Sequence, residues 1–328
     1  MGNVTESRRG EVPGARTGRV VRIDRGWSTV LLDDSSTARV RNIGADVAVG
    51  DRVSLDAEAE RIASVEVRTS ALTRRNSFEG ARAMRQVVAA NIDTVFVVHA
   101  VTAEPNPRRL ERELVLAFDS GADPVVVLTK TDLVDPGYVD EVRGRLEGTA
   151  VGVPILAVSS ATGEGLDGLR ALLPSGSTVA LIGASGAGKS TLVNALVGRE
   201  VQRTAEVRDD DQRGRHTTVA AELIGLPWGA WLLDTPGLRA VTLWTSGRGI
   251  EMAFPEVFAA ADDCRFRDCK HADEPGCAVN AAIAEGRIRP ERLESMRRLV
   301  AEELSVEEET IERERSMDRR GVRRPRRG

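Results

Sequence analysis

Lysine is almost missing from this 328-residue chain: of 46 basic residues only Lys130, Lys189 and Lys270 are lysine, and the rest are arginine. Where arginine has replaced lysine so widely, a surviving lysine marks a place that needs a compact point charge or a slim aliphatic stem. Cysteine is as rare. The three present, Cys264, Cys269 and Cys277, lie close together with His271 between them. An odd number of cysteines argues against a disulfide framework, and Met1 to Gly10 carry no apolar core for a secretory signal. No apolar run approaches the length of a membrane span. Nor is there an excess of basic charge: the formal net charge of −4 excludes a global positive field, so any polyanion must be met by local patches. These absences point to a soluble, cytoplasmic protein with no membrane partner. The hydrophobic fraction of 41% is enough for real cores, and the length suits two or three domains.

The most informative stretch runs from Val179 to Thr191. It reads G-x-x-x-x-G-K-S over Gly183, Ala184, Ser185, Gly186, Ala187, Gly188, Lys189 and Ser190, with Thr191 next. Val179 to Ile182 suits a buried strand, and Thr191 to Val197 has helix character. Strand, glycine loop and helix form the setting of a phosphate-binding loop. Glycines let successive backbone N–H groups turn inward around phosphates, and the helix N-terminus adds partial positive charge. Lys189 is expected on the β- and γ-phosphates and the Ser190 hydroxyl on Mg²⁺.

Upstream of this loop two patterns alternate. After a polar tail, residues 1–15, short strands are expected at Arg19–Ile23, Ser28–Leu32, Ala38–Val40, Arg52–Leu55 and Ile62–Val67, separated by turn signals. Five short strands in so few residues suggest a small OB-type barrel over 16–70. Arg19, Arg22, Arg25, Arg39 and Arg41 cluster there and suit RNA backbone; the alternative is a β-domain that only packs on its neighbour. Residues 70–90 read as an arginine-bearing connector. Then strands at Thr94–Val98, Pro124–Leu128 and Pro154–Val158 alternate with helices at Arg108–Phe118, Tyr138–Leu146 and Leu166–Leu172. This α/β alternation implies a parallel sheet with ligands at the carboxyl ends of its strands.

Two of those ends carry motifs. Thr129, Lys130, Thr131 and Asp132 resemble the N/T-K-x-D guanine motif of GTPases. A carboxylate at Asp132 can accept from guanine's N1–H and N2 amino groups; adenine would leave it unsatisfied. Lys130 can lay its stem along the base. Thr129 stands where Asn is commoner, and its hydroxyl can replace only part of the amide's bonding. Ser159, Ser160 and Ala161 occupy the place of the motif whose backbone N–H meets guanine O6, with Ser160 where Ala is usual; an ordinary turn is the alternative. Beyond the phosphate loop, Gly214-Arg-His-Thr-Thr218 has the look of a switch, with Thr217 or Thr218 offering a second hydroxyl to Mg²⁺. Trp231 to Gly237 is a strand ending in D-x-x-G: Asp234 is expected on Mg²⁺ through water and the Gly237 N–H on the γ-phosphate. Leu238 comes next, where a water-orienting Gln stands in Ras-like enzymes, so slow intrinsic hydrolysis is expected and His216 is the local candidate base. A structural or RNA-facing role is the alternative for His216. The base motifs precede the phosphate loop, which makes this a circularly permuted GTPase domain, 71–245, whose D-x-x-G switch leads directly into the C-terminal domain.

That C-terminal domain, 246–310, is expected to be helical and zinc-binding, for it holds Cys264-x4-Cys269-x-His271-x5-Cys277. Three thiolates and one imidazole are the donor set of a closed tetrahedral zinc site. Arg265, Arg267 and Lys270 share that loop. Pro290 opens a helix with Leu293, Met296, Leu299, Val300 and Leu304 at helical spacing, expected to pack. The Arg-rich end, 311–328, reads as an unstructured tail.

Taken in order, the small barrel, T-K-T-D, S-S-A-T-G-E-G, G-A-S-G-A-G-K-S-T, G-R-H-T-T, D-T-P-G and the cysteine–histidine motif with Glu274-Pro-Gly-Cys277 resemble the bacterial ribosome-small-subunit-dependent GTPase A family, also called YjeQ. Gln86 with Ala90-Asn-Ile-Asp93 resembles that family's lead-in to the GTPase domain. The resemblance implies GTP hydrolysis to GDP stimulated by the 30S subunit, a role in late 30S maturation, contact with 16S rRNA through barrel and zinc domain, and a monomer. Two other readings stay open: a nucleotide-gated rRNA-binding switch with little turnover, and a permuted GTPase acting on the large subunit.

Overall fold

The computed structural model describes residues 16–24, 26–42, 46–56, 58–76, 84–202, 221–234 and 247–321. Five short strands open it: β1 (Thr17–Asp24), β2 (Trp27–Leu32), β3 (Thr37–Arg41), β4 (Arg52–Leu55) and β5 (Ile62–Val65). β1 pairs antiparallel with β2 and β4, β2 with β3, and β4 with β5, while a parallel bridge between Arg41 and Arg61 brings the two outer strands together. Period-two alternation puts Val20, Val30, Val40, Val53, Leu55 and Ile62 inside one buried cluster. The expected connector at 70–90 is a hairpin instead, β6 (Ala71–Asn76) against β7 (Met84–Ala90).

The parallel sheet comes next: β8 (Thr94–Ala100), α1 (Pro107–Ser120), β9 (Asp123–Thr129), α2 (Pro136–Glu147), β10 (Ile155–Ala157), α3 (Leu166–Ala171), β11 (Thr178–Gly183) and α4 (Lys189–Val197), then β12 (Glu222–Gly225) and β13 (Trp231–Asp234). Strand order is β10-β9-β8-β11-β13-β12, with only β12 antiparallel to its neighbour. Both faces are covered, which is why the strands read as unbroken apolar runs. Val95, Val97, Val126 and Leu128 face one cluster, and Phe96, Val98, Val125 and Val127 face the other. Helix α1 starts where the Asn106 side chain accepts from the Arg109 N–H, and it ends at Gly121, whose φ of 86° terminates the turn.

The five-stranded module is fastened to this sheet by side chains expected to face RNA. Arg19 donates to the carbonyls of Gly50 and Asn91 and to the Thr178 hydroxyl, so it is spent on docking; burial holds its pKa below the usual arginine value. Asn91 bonds Gly50 and Thr69, and the Asp93 carboxylate accepts the Thr178 N–H. Arg22 pairs with Glu222, across a single β1–β12 pairing that makes the two sheets continuous. Arg25 lies outside the described residues. Arg39 and Arg41 remain exposed, 5.2 and 5.0 Å from the ring of Trp27.

Helices α5 (Arg248–Ala253), α6 (Pro255–Ala261), α7 (Ala278–Ala284) and α8 (Pro290–Gly321) complete the chain. Among the described residues they have no separate core: Ile250, Phe254, Val257, Val279, Leu293 and Met296 join the same cluster as Leu110 and Leu114 of α1. Along α8, Leu299 and Val300 are partly buried, whereas Leu304 is exposed. The helix runs on to Gly321, past the point at which an unstructured tail was expected. Its far stretch has glutamate and arginine in close alternation and no glycine or proline before Gly321 to stop it. Among the described residues no helix is long and apolar enough to cross a membrane.

Candidate functional site

The glycine loop sits at the carboxyl end of β11, in the middle of the parallel sheet. Gly183 has φ 141°, and a Cβ there would lie 2.3 Å from the Val98 carbonyl oxygen, so only glycine lets the loop leave the strand beside β8. Gly186 and Gly188 also have positive φ, and Gly188 caps α4. The turn closes with an Ala187 N–H to Ala184 carbonyl bond, leaving Lys189, Ser190 and Thr191 in the first turn of α4. Lys189 folds back so that Nζ donates to the Gly183 and Ala184 carbonyls, which holds its ammonium at the rim of the loop. Backbone N–H groups, a helix N-terminus and one ammonium converge there, the arrangement that holds a polyphosphate.

The base-motif residues lie against this loop. Thr129, buried at the end of β9, donates its hydroxyl to the Ala187 carbonyl at 2.6 Å and lies 3.3 Å from the His99 carbonyl. A hydroxyl therefore does reach the phosphate loop. Lys130 adopts φ 62°, and a Cβ on Gly188 would sit 3.1 Å from Thr129 Oγ1 and 3.8 Å from Lys130 Cε. Alanine at 188 would thus press on both. Thr131 and Asp132 begin a short 3-10 turn, Thr131–Leu133. Ser159 Oγ donates to Asp132 Oδ1 at 2.6 Å and accepts from the Thr162 N–H at 3.1 Å, so one serine fixes the carboxylate and closes the Ser159–Gly165 turn. Ser160 and Ala161 ride on that turn. Asp234 ends β13, the strand next to β11. His216, Thr217, Thr218, Gly237 and Leu238 lie outside the described residues.

The second site stands apart from the first. The ligand atoms of Cys264, Cys269, His271 and Cys277 all lie within 4.8 Å of one another. His271 Nδ1 is 3.6 Å from the Cys264 sulfur and 3.5 Å from the Cys277 sulfur, and those two sulfurs are 4.0 Å apart. Zinc bonds of ~2.3 Å to sulfur and ~2.05 Å to nitrogen make a tetrahedron with edges of about 3.8 and 3.6 Å, so the donors are spaced to hold that ion. His271 reaches inward through a left-handed φ of 59°. Cys277 caps α7, its sulfur accepting the Asn280 N–H at 3.4 Å. Burial opposes ionisation of Cys264, but the N–H groups of Val279 and Ala278 and the two other thiols bring its pKa below the usual thiol value. Partial burial and the neighbouring thiols push Cys269 up to about 11. Burial, with Arg297 nearby, lowers the pKa of His271 and favours the neutral, metal-binding imidazole.

The family model described as RsgA GTPase matches residues 65–244. The small ribosomal subunit biogenesis GTPase RsgA of Streptomyces avermitilis is 43% identical over 316 residues, covering 94% of this chain and 85% of that protein. The chain belongs to the RsgA GTPase family. It is therefore a GTPase, and the motif order along its chain is that of a circular permutation. The RsgA of Methanosarcina acetivorans is 42% identical over 278 residues, 83% of this chain and 74% of that one. Among solved structures, YjeQ from Thermotoga maritima superposes with a TM-score of 0.67 at 29% identity, covering 88% of this chain and 99% of that one. YloQ, described as a circularly permuted GTPase, shares the fold with a TM-score of 0.66.

Two features of this family member escaped sequence reasoning. His99, at the end of β8, pairs with Glu113 at 2.8 Å, and Glu113 pairs with Arg109 at 2.9 Å along α1. Arg292 of α8 is 3% exposed; it bonds Glu111 of α1 at 2.8 Å, Glu256 of α6 at 2.6 Å and the Ala253 carbonyl at 2.7 Å, with Phe254 beneath its plane at 4.2 Å. The only sequence signal for either is charge at a position where helical spacing expects an apolar residue.

Proposed function

We propose that this chain binds GTP across the loops at the carboxyl ends of β9, β10, β11 and β13, and hydrolyses it to GDP and phosphate on the small ribosomal subunit, leaving that subunit during late 30S maturation. The observation that carries the reading is the Thr129–Ala187 bond. It ties the base-motif loop to the phosphate loop, so Asp132 and Lys189 serve one nucleotide. In this reading Asp132, held by Ser159, accepts from guanine N1–H and N2, Lys130 lies along the base, and the N–H groups of Ser160 and Ala161 face O6. The loop from Gly183 to Lys189 takes the phosphates, with Thr191 beside it. Ser190 and Asp234 would hold Mg²⁺, which neutralises charge on the β- and γ-phosphates. Thr217 or Thr218, the Gly237 N–H and His216 keep their expected roles as hydroxyl donor, γ-phosphate sensor and water-positioning base.

The subunit enters from the names of the relatives, which are small ribosomal subunit biogenesis GTPases. Work on that subunit is work in the cytoplasm. Strand order and the Arg41–Arg61 bridge support an OB-type barrel, and a cleft on it of about 570 Å³ is lined by Trp27, Arg39 and Arg41 on one side and by Asp56, Glu58, Glu60 and Arg61 on the other, with Arg61 paired to Asp56. The Trp27 ring with the Arg39 and Arg41 guanidinium groups beside it is the part that suits 16S rRNA. Exposed Arg265, Phe266, Arg267 and Lys270 on the cysteine loop suit the same partner. One Zn²⁺ at Cys264, Cys269, His271 and Cys277 would brace that loop, and the protein would act as a monomer. The test is the GTP hydrolysis rate of the full chain with purified 30S, with 50S and alone. The 30S subunit should accelerate it. Equal rates in all three, or stimulation by 50S, would overturn the reading.

A further inference from the structure

The cleft on the five-stranded module carries both signs of charge, kept on separate walls. On the β2–β3 wall the Arg39 and Arg41 guanidinium groups lie against the Trp27 ring. On the other wall Asp56 is spent on its own neighbours: it accepts the Glu60 N–H at 2.9 Å and pairs with Arg61 at 3.0 Å. The Glu60 carbonyl accepts the Arg41 N–H at 3.0 Å, which ties this wall to the end of β3. Two exposed carboxylates, Glu58 and Glu60, and two exposed guanidinium groups, Arg39 and Arg41, are left over. All four line one cleft, yet among the described residues none has an ion-pair partner. About 570 Å³ stays open between them, within the range of about 300–1,000 Å³ that takes a small organic group. A groove for RNA backbone alone would be basic on both sides. This one suits a group that is anionic at one end and offers hydrogen-bond donors at the other, as a nucleotide does when the edge of its base donates.

We infer that this cleft reads an unpaired guanine in single-stranded RNA, with Glu58 and Glu60 as its specificity-determining residues. The inference rests on the 16S rRNA reading above and deepens it, from contact with RNA to recognition of one base. The base lies on the layer of Trp27 and the two guanidinium planes, and its phosphate meets Arg39 and Arg41. The Watson–Crick edge then faces Glu58 and Glu60. Guanine presents N1–H and the N2 amino group side by side, and one carboxylate accepts from both. Cytosine and adenine each present one amino group beside a ring nitrogen that is itself an acceptor. Uracil sets its single N–H between two carbonyl oxygens, which a carboxylate repels. Guanine should therefore bind tightest and uracil weakest.

The test is fluorescence anisotropy of labelled RNA pentamers, UUGUU, UUAUU, UUCUU and UUUUU, with the full chain at low salt and in saturating GDP, so that the phosphate-loop site is filled. UUGUU should bind at least about fivefold tighter than UUUUU, the lower end of what a bidentate base contact discriminates. The second arm is the double variant Glu58→Ala with Glu60→Ala, two exposed and unpaired side chains that the fold can spare. It should weaken UUGUU towards the level of UUUUU, while UUUUU itself holds or tightens because two negative charges have left the path of its phosphates. Those opposite signs separate base recognition from simple repulsion, which would make both pentamers bind tighter. Equal binding of the four pentamers, no binding of any, or a guanine preference that the double variant keeps overturns the inference. Failure of the ribosomal reading itself would appear elsewhere, as a GTP hydrolysis rate that 30S subunits do not change.

Discussion

Arg292→Met is the sharpest test of how the C-terminal helices are joined to the GTPase core. The substitution keeps most of the aliphatic stem over Phe254 and removes the guanidinium that serves Glu111 and Glu256. Both Arg292 and Glu111 are 3% exposed, so neither charge can turn to water when its partner goes. Breaking a buried pair from one side costs about 3–5 kcal/mol, because the remaining charge is stranded, even where the intact pair itself contributes little. At about 2–4 °C per kcal/mol for a domain of this size, the melting temperature should fall by about 6–20 °C. The second arm is a double-mutant cycle. Glu111→Gln in the Arg292→Met background replaces the stranded carboxylate with a neutral amide, so the pair of changes should cost at least about 1 kcal/mol less than the sum of the single ones. Urea denaturation of the wild type, both single variants and the double variant reads this directly. Strict additivity, or a single-variant loss below about 1 kcal/mol as for an exposed ion pair, would refute the reasoning.

The two sites give further expected outcomes. Thr129→Val keeps the shape of the side chain and removes the bond to the Ala187 carbonyl; GDP affinity should fall about five- to tenfold in calorimetric titration, and an unchanged value would mean the two loops do not depend on each other. Cys277→Ser removes one donor of the cysteine–histidine cluster and the sulfur that caps α7; zinc content by atomic emission should fall from one ion per chain towards none, and a full ion retained would show that Cys277 is not a ligand.

The parallel strands were legible because burial on both faces leaves an unbroken apolar signature, as at Thr94–Val98 and Pro124–Leu128. The glycine loop was legible because φ values open only to glycine leave their mark in the letters. Other features depend on contacts across the chain and left no local trace. The hairpin at 71–76 and 84–90 is arginine-bearing and lacks a continuous apolar face. Strand β12 is four residues long. Arg19 sits at a position in β1 that alternation describes correctly, but nothing in alternation says that the outer face of one module becomes the docking face of another. Thr129 was read through the residue it replaces, and only the 2.6 Å approach to Ala187 shows how far a shorter side chain can reach. Arg292 and Glu111 are 181 residues apart, and neither sequence neighbourhood hints at the other.

The permutation has a mechanical consequence different from the one the motif order alone suggests. With D-x-x-G leading into the C-terminal helices, motif order alone has the switch pull on that domain when it moves, with few residues between. The helix at the far end of residues 235–246 is not free. Gly249 lies so close to α1 that a Cβ would meet the Val115 carbonyl oxygen at 2.3 Å, its N–H is held by Asp119 at 2.7 Å, and the Gly247 N–H is held by Glu303 of α8 at 3.0 Å. Asp234 is fixed at the other end by the β13 pairing with β11 and β12. A change in 235–246 would therefore act between anchored points on β13, α1 and α8. It would reach the cysteine cluster through α1, through α8 at Glu303 or by breaking the contacts around Arg292, and the last route exposes a buried charge. Because the C-terminal helices share one apolar cluster with α1, they are expected to respond as part of the core, in steps between packed arrangements rather than as a hinged arm.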